Sequence, residues 1–182
     1  MKKVSLFLLA VGLIAIANPL MAQLIELKAE KFIEYITVAN PYREWQMWPG
    51  KGRFHQGSPL YGHGTLITTY ANLTAQKSIK EMKGMADGSI VVTENYDANK
   101  ILQGITSMYK VKGYNPDGGD WYWVEATPRG AVLNSGKSQP CIDCHQAQAG
   151  NDYIWTGEVV KGKYIGMEGG QENRGKLTID RK

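Results

Sequence analysis

The stretch Cys141-Ile142-Asp143-Cys144-His145 constrains this chain more than any other. It holds both cysteines of a 182-residue sequence. A link between sulfurs three positions apart closes too short a loop to staple distant segments, so the fold must rest on apolar burial. Four chemistries compete for the pattern: a structural disulfide, a thiol redox pair, a metal clip, and covalent attachment of a haem. The last uses every element. Two intervening residues let both sulfurs reach the vinyl groups on one edge of a haem, and the adjoining His145 then falls under the iron as its axial ligand. A thiol redox pair ordinarily opens a helix after a strand in a thioredoxin-like α/β pattern, whereas this motif comes late, after a run of strand signals. A zinc clip needs four ligands and would have to recruit His55 and His63 from an unrelated segment. The pattern therefore favours one haem c on Cys141, Cys144 and His145, with the iron on His145.

The N-terminus fits a chemistry of the bacterial periplasm. Residues 1–22 read as a secretory signal peptide: Lys2 and Lys3, an apolar run from Val4 to Ala17, then Asn18-Pro19 and the small Ala22. The apolar run is shorter than the ~20 residues that span a bilayer, so the mature form is expected to be a periplasmic protein with no membrane segment. Removing Lys2 and Lys3 takes the formal charge from +4 to +2, too little to suggest nucleic-acid binding.

The remaining sequence is expected to be one domain over 23–160 with a polar, glycine-rich tail over 161–182. Residues 24–36 carry an amphipathic helix pattern ending before Asn40-Pro41, and the aromatic, glycine-rich segment 42–62 reads as a structured loop. Strand signals occupy 63–72 and 89–96, with a helix over 73–84 between them capped by Asn72. Extended runs at 105–114 and 120–127 flank Asn115-Pro116-Asp117-Gly118-Gly119 and predict a hairpin. In its second arm Trp121, Trp123 and Glu125 share one face while Tyr122 and Val124 share the other, so both faces should be covered. A loop over 128–140 delivers the cysteines, and 152–160 reads as a last strand. The fold class is α+β: an antiparallel sheet of four or five strands with helices on one side and the haem near the C-terminal end.

Several pieces together resemble the cytochrome P-460 family, which includes the cytochromes c′-beta. They are "PYREW" (41–45), "HGTLITTYAN" (63–72), "GMADGSIVVTENY" (84–96), "GDWYWVEA" (119–126) and "CIDCHQAQAGNDYIWT" (141–156). The resemblance implies a five-coordinate haem on His145 whose open side faces the sheet. It also implies binding or turnover of small nitrogen ligands such as NO or hydroxylamine, CO binding, and a homodimer through an edge strand. A lysine that cross-links to the haem in cytochrome P-460 is expected on the strand after the Asp-Gly turn. Thr93 stands there in this chain, so the cross-link and hydroxylamine oxidation are not carried over. Lys77, Lys80, Lys83, Lys110 or Lys112 could in principle reach the ring in its place, but each reads first as a solvated charge on a helix or strand face.

With the family geometry, Val91 and Thr93 share the strand face toward the haem, and Ser138 and Gln139 could reach the open side. Trp45 and Trp48 would wall the haem. His63 matches a family position, either as a hydrogen-bond partner of a haem propionate or bound ligand or, more simply, as a structural residue satisfying a backbone group. A second function class is a six-coordinate electron-transfer cytochrome, its sixth ligand drawn from His55, His63 or a methionine such as Met167, exchanging electrons with a periplasmic protein. A third is a peroxidase-like enzyme.

Overall fold

Seven antiparallel strands form one open sheet in the computed structural model, which describes residues 27–59 and 62–166. The long strands run as a meander: β3 (Leu66–Ala71), β4 (Ile90–Tyr96), β5 (Leu102–Lys110), β6 (Trp121–Ala126) and β7 (Val132–Gly136), each paired with the next. Two short strands, β1 (Gln46–Met47) and β2 (His55–Gln56), share the outer edge of β3. The class is α+β. The sheet is larger than the four or five strands expected, because 42–62 and 128–140 are not loops throughout. Each holds short edge pairings with too few apolar residues to show as strands in the sequence.

Alternation along the strands builds two cores. One face presents Tyr70, Ile90, Val92, Ile105, Tyr109, Tyr122 and Val124 to helix α1 (Ala29–Glu34), which inserts Phe32 and Ile33. The other presents Ala71, Val91, Met108, Trp121 and Trp123 to Ala75 and Ile79 of α2 (Leu73–Glu81) and Ile142 of α3 (Gln139–His145). Helices thus cover both faces, not one. Strands this apolar on alternate sides need a cover on each. The partition of 121–124 between the faces is as the alternation predicts, Trp121 and Trp123 under α2 and α3, Tyr122 and Val124 under α1.

Asn72 caps α2 by accepting from Ala75 N–H at 2.9 Å, as its position suggests. The expected strand at 152–160 is absent. A six-residue 3-10 segment (Gln146–Asn151) follows α3, and only one isolated bridge, Lys83 to Val160, touches that stretch. Four of its backbone groups are satisfied by one side chain. Asn151 donates to the carbonyls of Ile154 and Gly157 and accepts from Val159 and Val160 N–H, so no ladder is required. The helix expected over 24–36 is seen as α1 followed by a π-helical turn, Tyr35–Ala39. The expected signal peptide at 1–22 and residues 167–182 of the expected tail lie outside the described residues. No helix among the described residues is long and apolar enough to cross a membrane.

Candidate functional site

Helix α3 carries Cys141 and Cys144 one turn apart, so both side chains leave the same side of the helix. Neither is in a disulfide. Ser138 Oγ sits 3.1 Å from Cys141 Sγ and is itself held by Asn134 Nδ2 at 2.6 Å, which ties the first sulfur to β7. Burial pushes the Cys141 thiol up from its ordinary value, the Ser138 hydrogen bond opposing it. Gln139 turns instead to Asp143 on the exposed side of the helix.

His145 closes the helix with its ring packed edge-on to Trp123, centroids 4.8 Å apart. Its Nδ1 lies 2.6 Å from the Tyr153 carbonyl. A carbonyl only accepts, so Nδ1 carries the proton and Nε2 keeps a lone pair. Burial, with a smaller contribution from His63, lowers the imidazole to about 4 despite the Tyr153 bond. The ring is therefore neutral at physiological pH, the form that ligates a metal.

His63 approaches the same place. Its ring centroid is 6.2 Å from that of His145, and its Nδ1 is 3.1 Å from Asn95 Oδ1. Gly64 makes this approach feasible: a Cβ there would collide with the Tyr96 backbone, so the chain can lie directly across the end of β4. A cavity of about 370 Å³ opens at this end of the sheet, lined by His63, Thr65, Asn95, Gly104 and Glu125 among others. Bulges after Asn95 and Glu125 shape it.

Val91 lies in the same core cluster as Ile142, a cluster against which Cys141 also packs. Thr93, two residues on and on the same face, is buried and exchanges a 3.2 Å hydrogen bond with Thr69. Trp48 joins the α3-side core, while Trp45 packs against the opposite core and donates to Asn40. His55, in β2, bonds the Gly52 carbonyl three residues before it. Met167 lies outside the described residues. Among those residues no group of three or more His, Cys, Asp and Glu is gathered as a metal site.

The donor set fits a haem c. Beyond two sulfurs on one helical side and an imidazole with Nε2 available, a buried donor next to the histidine lacks a partner: Trp123 Nε1, in a side chain only 3 % exposed. Such orphans are rare in folded proteins and call for an acceptor, of the kind a haem would bring in its carboxylates. Gln148 Nε2, three residues beyond His145, is orphaned in the same way.

Sequence reasoning missed two groups. Lys110 is no solvated charge: its Nζ forms a 2.5 Å ion pair with Asp152 Oδ1, both side chains about 15 % exposed. On the other face, Glu94 is fully buried and takes hydrogen bonds from Tyr42, Tyr70 and Tyr96 and an ion pair from Arg43. Lysine at a strand end and glutamate amid a strand gave no local signal; their partners are distant in sequence.

No curated protein matches the chain. A family model described as Cytochrome P460 matches residues 39–156, which contain every element from β1 to α3.

Proposed function

Because the chain belongs to the cytochrome P460 family, whose members are haem proteins, we propose that it is a periplasmic monohaem c-type cytochrome. Cys141 and Cys144 would tether the ring through thioethers, and His145 Nε2 would be the axial ligand. When bound, the haem supplies an iron with a position for a small ligand such as NO, CO or hydroxylamine. The chain's own residues do the rest. Tyr153 fixes the histidine tautomer, Trp123 and Gln148 offer hydrogen bonds, and the strand face of Val91 and Thr93 would bound the site on the sheet side. The observation that carries this reading is the pairing of two cysteines one turn apart with a buried, neutral imidazole whose Nδ1 is already committed.

The test is spectroscopic. Protein matured in a haem-loading host should gain the mass of one haem per chain, show a high-spin ferrous spectrum, and take up CO and NO. An intact mass equal to the unmodified mature chain would overturn the reading.

One observation favours a second reading, the six-coordinate electron carrier. His63 also has its Nδ1 committed, to Asn95, and its ring lies 6.2 Å from His145. Two imidazoles coordinating one iron through Nε2 have centroids about this far apart, given metal–nitrogen bonds of roughly 2 Å. A low-spin spectrum indifferent to CO, converted to high-spin by His63→Ala, would select it. With either reading the partners would be a small ligand or a periplasmic electron-transfer protein, and a homodimer would use an edge strand such as β7.

A further inference from the structure

We infer that Lys110 and Asp152 are positioning residues for the axial histidine: they strap the Tyr153 carbonyl onto His145 Nδ1 and so set how electron-rich the imidazole is. The inference rests on the haem reading above and adds a control on the iron that the family match does not assign.

Asp152 and Tyr153 both adopt left-handed backbone, φ +55° and +65°. Two successive residues with a Cβ in this region are uncommon, and the surroundings must over-determine them. Here they do. Asp152 Oδ1 accepts from Lys110 Nζ at 2.5 Å, and Oδ2 accepts from Met85 N–H at 2.7 Å. The Asp152 carbonyl accepts from Trp121 Nε1 at 3.0 Å, and its N–H donates to Ala149. Tyr153 N–H donates to the Gln148 carbonyl at 2.8 Å, and its hydroxyl lies 3.0 Å from the Asp117 carbonyl. Lys110 is held in turn by the Gly119 carbonyl and lies over the Trp121 ring. Anchors from β5, β6 and the turn before β4 thus converge on two residues, and the product is one carbonyl 2.6 Å from His145 Nδ1.

Stability alone does not explain this arrangement, since a glycine would adopt the same backbone without strain. What the anchors achieve is placement. A ligating histidine whose other nitrogen donates strongly becomes a better electron donor to its metal, which favours the ferric state. A carbonyl fixed from three sides keeps that bond short.

The experiment compares haem-loaded wild type with Lys110→Met, Lys110→Arg and Trp121→Phe. The last removes the indole donor to the Asp152 carbonyl and keeps a smaller aromatic ring in the core. Resonance Raman of the ferrous protein reads the iron–histidine stretch, and a redox titration reads the midpoint potential. Lys110→Met and Trp121→Phe should lower the stretch and raise the potential, while Lys110→Arg stays close to wild type. An unmoved band and potential in folded Lys110→Met and Trp121→Phe overturn the strap, even if both melt earlier, because lost packing alone moves only the melting temperature. Should Lys110→Met not fold, Trp121→Phe and Asp152→Asn decide on the same readouts. Intact mass reports separately on haem attachment. Without it the haem reading fails, and the strap is decided by ¹⁵N shifts of the His145 ring: a single Nδ1–H tautomer in wild type, a mixture in the variants if the strap holds, no change if it does not.

Discussion

At the scale of single residues, buried ionisable groups dominate. Burial alone would push the Glu94 carboxyl up, but hydrogen bonds from Tyr96, Arg43 and Tyr42 outweigh it, so the group titrates below its ordinary 4.5. Burial, and after it the hydrogen bond to Glu94, raise Tyr96 to about 12. Since the folded carboxyl is the stronger acid, its contribution is complete above the unfolded value and is lost as pH falls through the folded one. Glu94→Gln should therefore cost about 3 kcal/mol at pH 7 and flatten the acid limb of a denaturant-versus-pH series. His145 follows the same sign for a different reason. Its folded value near 4 lies below the ordinary 6.5, so the unfolded chain binds the extra proton first. Apoprotein stability should fall between pH 6.5 and 4 by about 3 kcal/mol, and chemical denaturation of His145→Asn should lack that part of the slope. The motif around His145 was legible because its chemistry is local. Glu94, flanked by Thr93 and Asn95, was not, because the tyrosines and arginine that keep it charged come from other parts of the chain.

Among the elements, α2 and β4 show how one side chain can join two pieces of secondary structure. Asn72 Oδ1 accepts from Ala75 N–H at the start of α2 and from Ile90 N–H at the start of β4, while Nδ2 donates to the Gly88 carbonyl of the turn between them. Asn72→Ala should cost about 1–2 kcal/mol and lower the thermal midpoint by roughly 5 °C; Asn72→Asp, which keeps the acceptor, should lose less. The strand–helix–strand order here was readable from a capping residue, a lysine-bearing helix face and a β-branched run. By contrast β7 reads Val-Leu-Asn-Ser-Gly and β1 is two residues long. Edge pairings of this kind are fixed by the neighbouring strand and not by their own composition. The false strand at 152–160 is the converse case. Ile154, Val159 and Val160 are apolar enough for a sheet, and Ile154 and Val159 are buried, but Asn151 absorbs the backbone groups that a ladder would have paired.

Across the whole molecule, the sheet separates two cores with different tasks. The α1 side is closed by Phe32, Ile36 and tyrosines, with Glu94 saturated by its partners. The α3 side leaves Trp123 Nε1 and Gln148 Nε2 without acceptors beside an imidazole that has a lone pair to give. An unmet buried donor costs about 1–3 kcal/mol, so this side has stability to gain from a ligand that brings acceptors, whereas Glu94 on the other side already has its partners. A group that binds only the folded state stabilises it by mass action, and a tethered one does so without dissociating. The asymmetry predicts where the gain appears. Hydrogen exchange on haem-loaded and apo protein should show protection rising over α3, 146–160 and β6, with amides of α1 nearly unchanged. Protection spread evenly over both faces would mean that the two cores fold as one unit coupled to haem. Rigidification confined to the α3 side would place the binding energy where the unpaired donors lie.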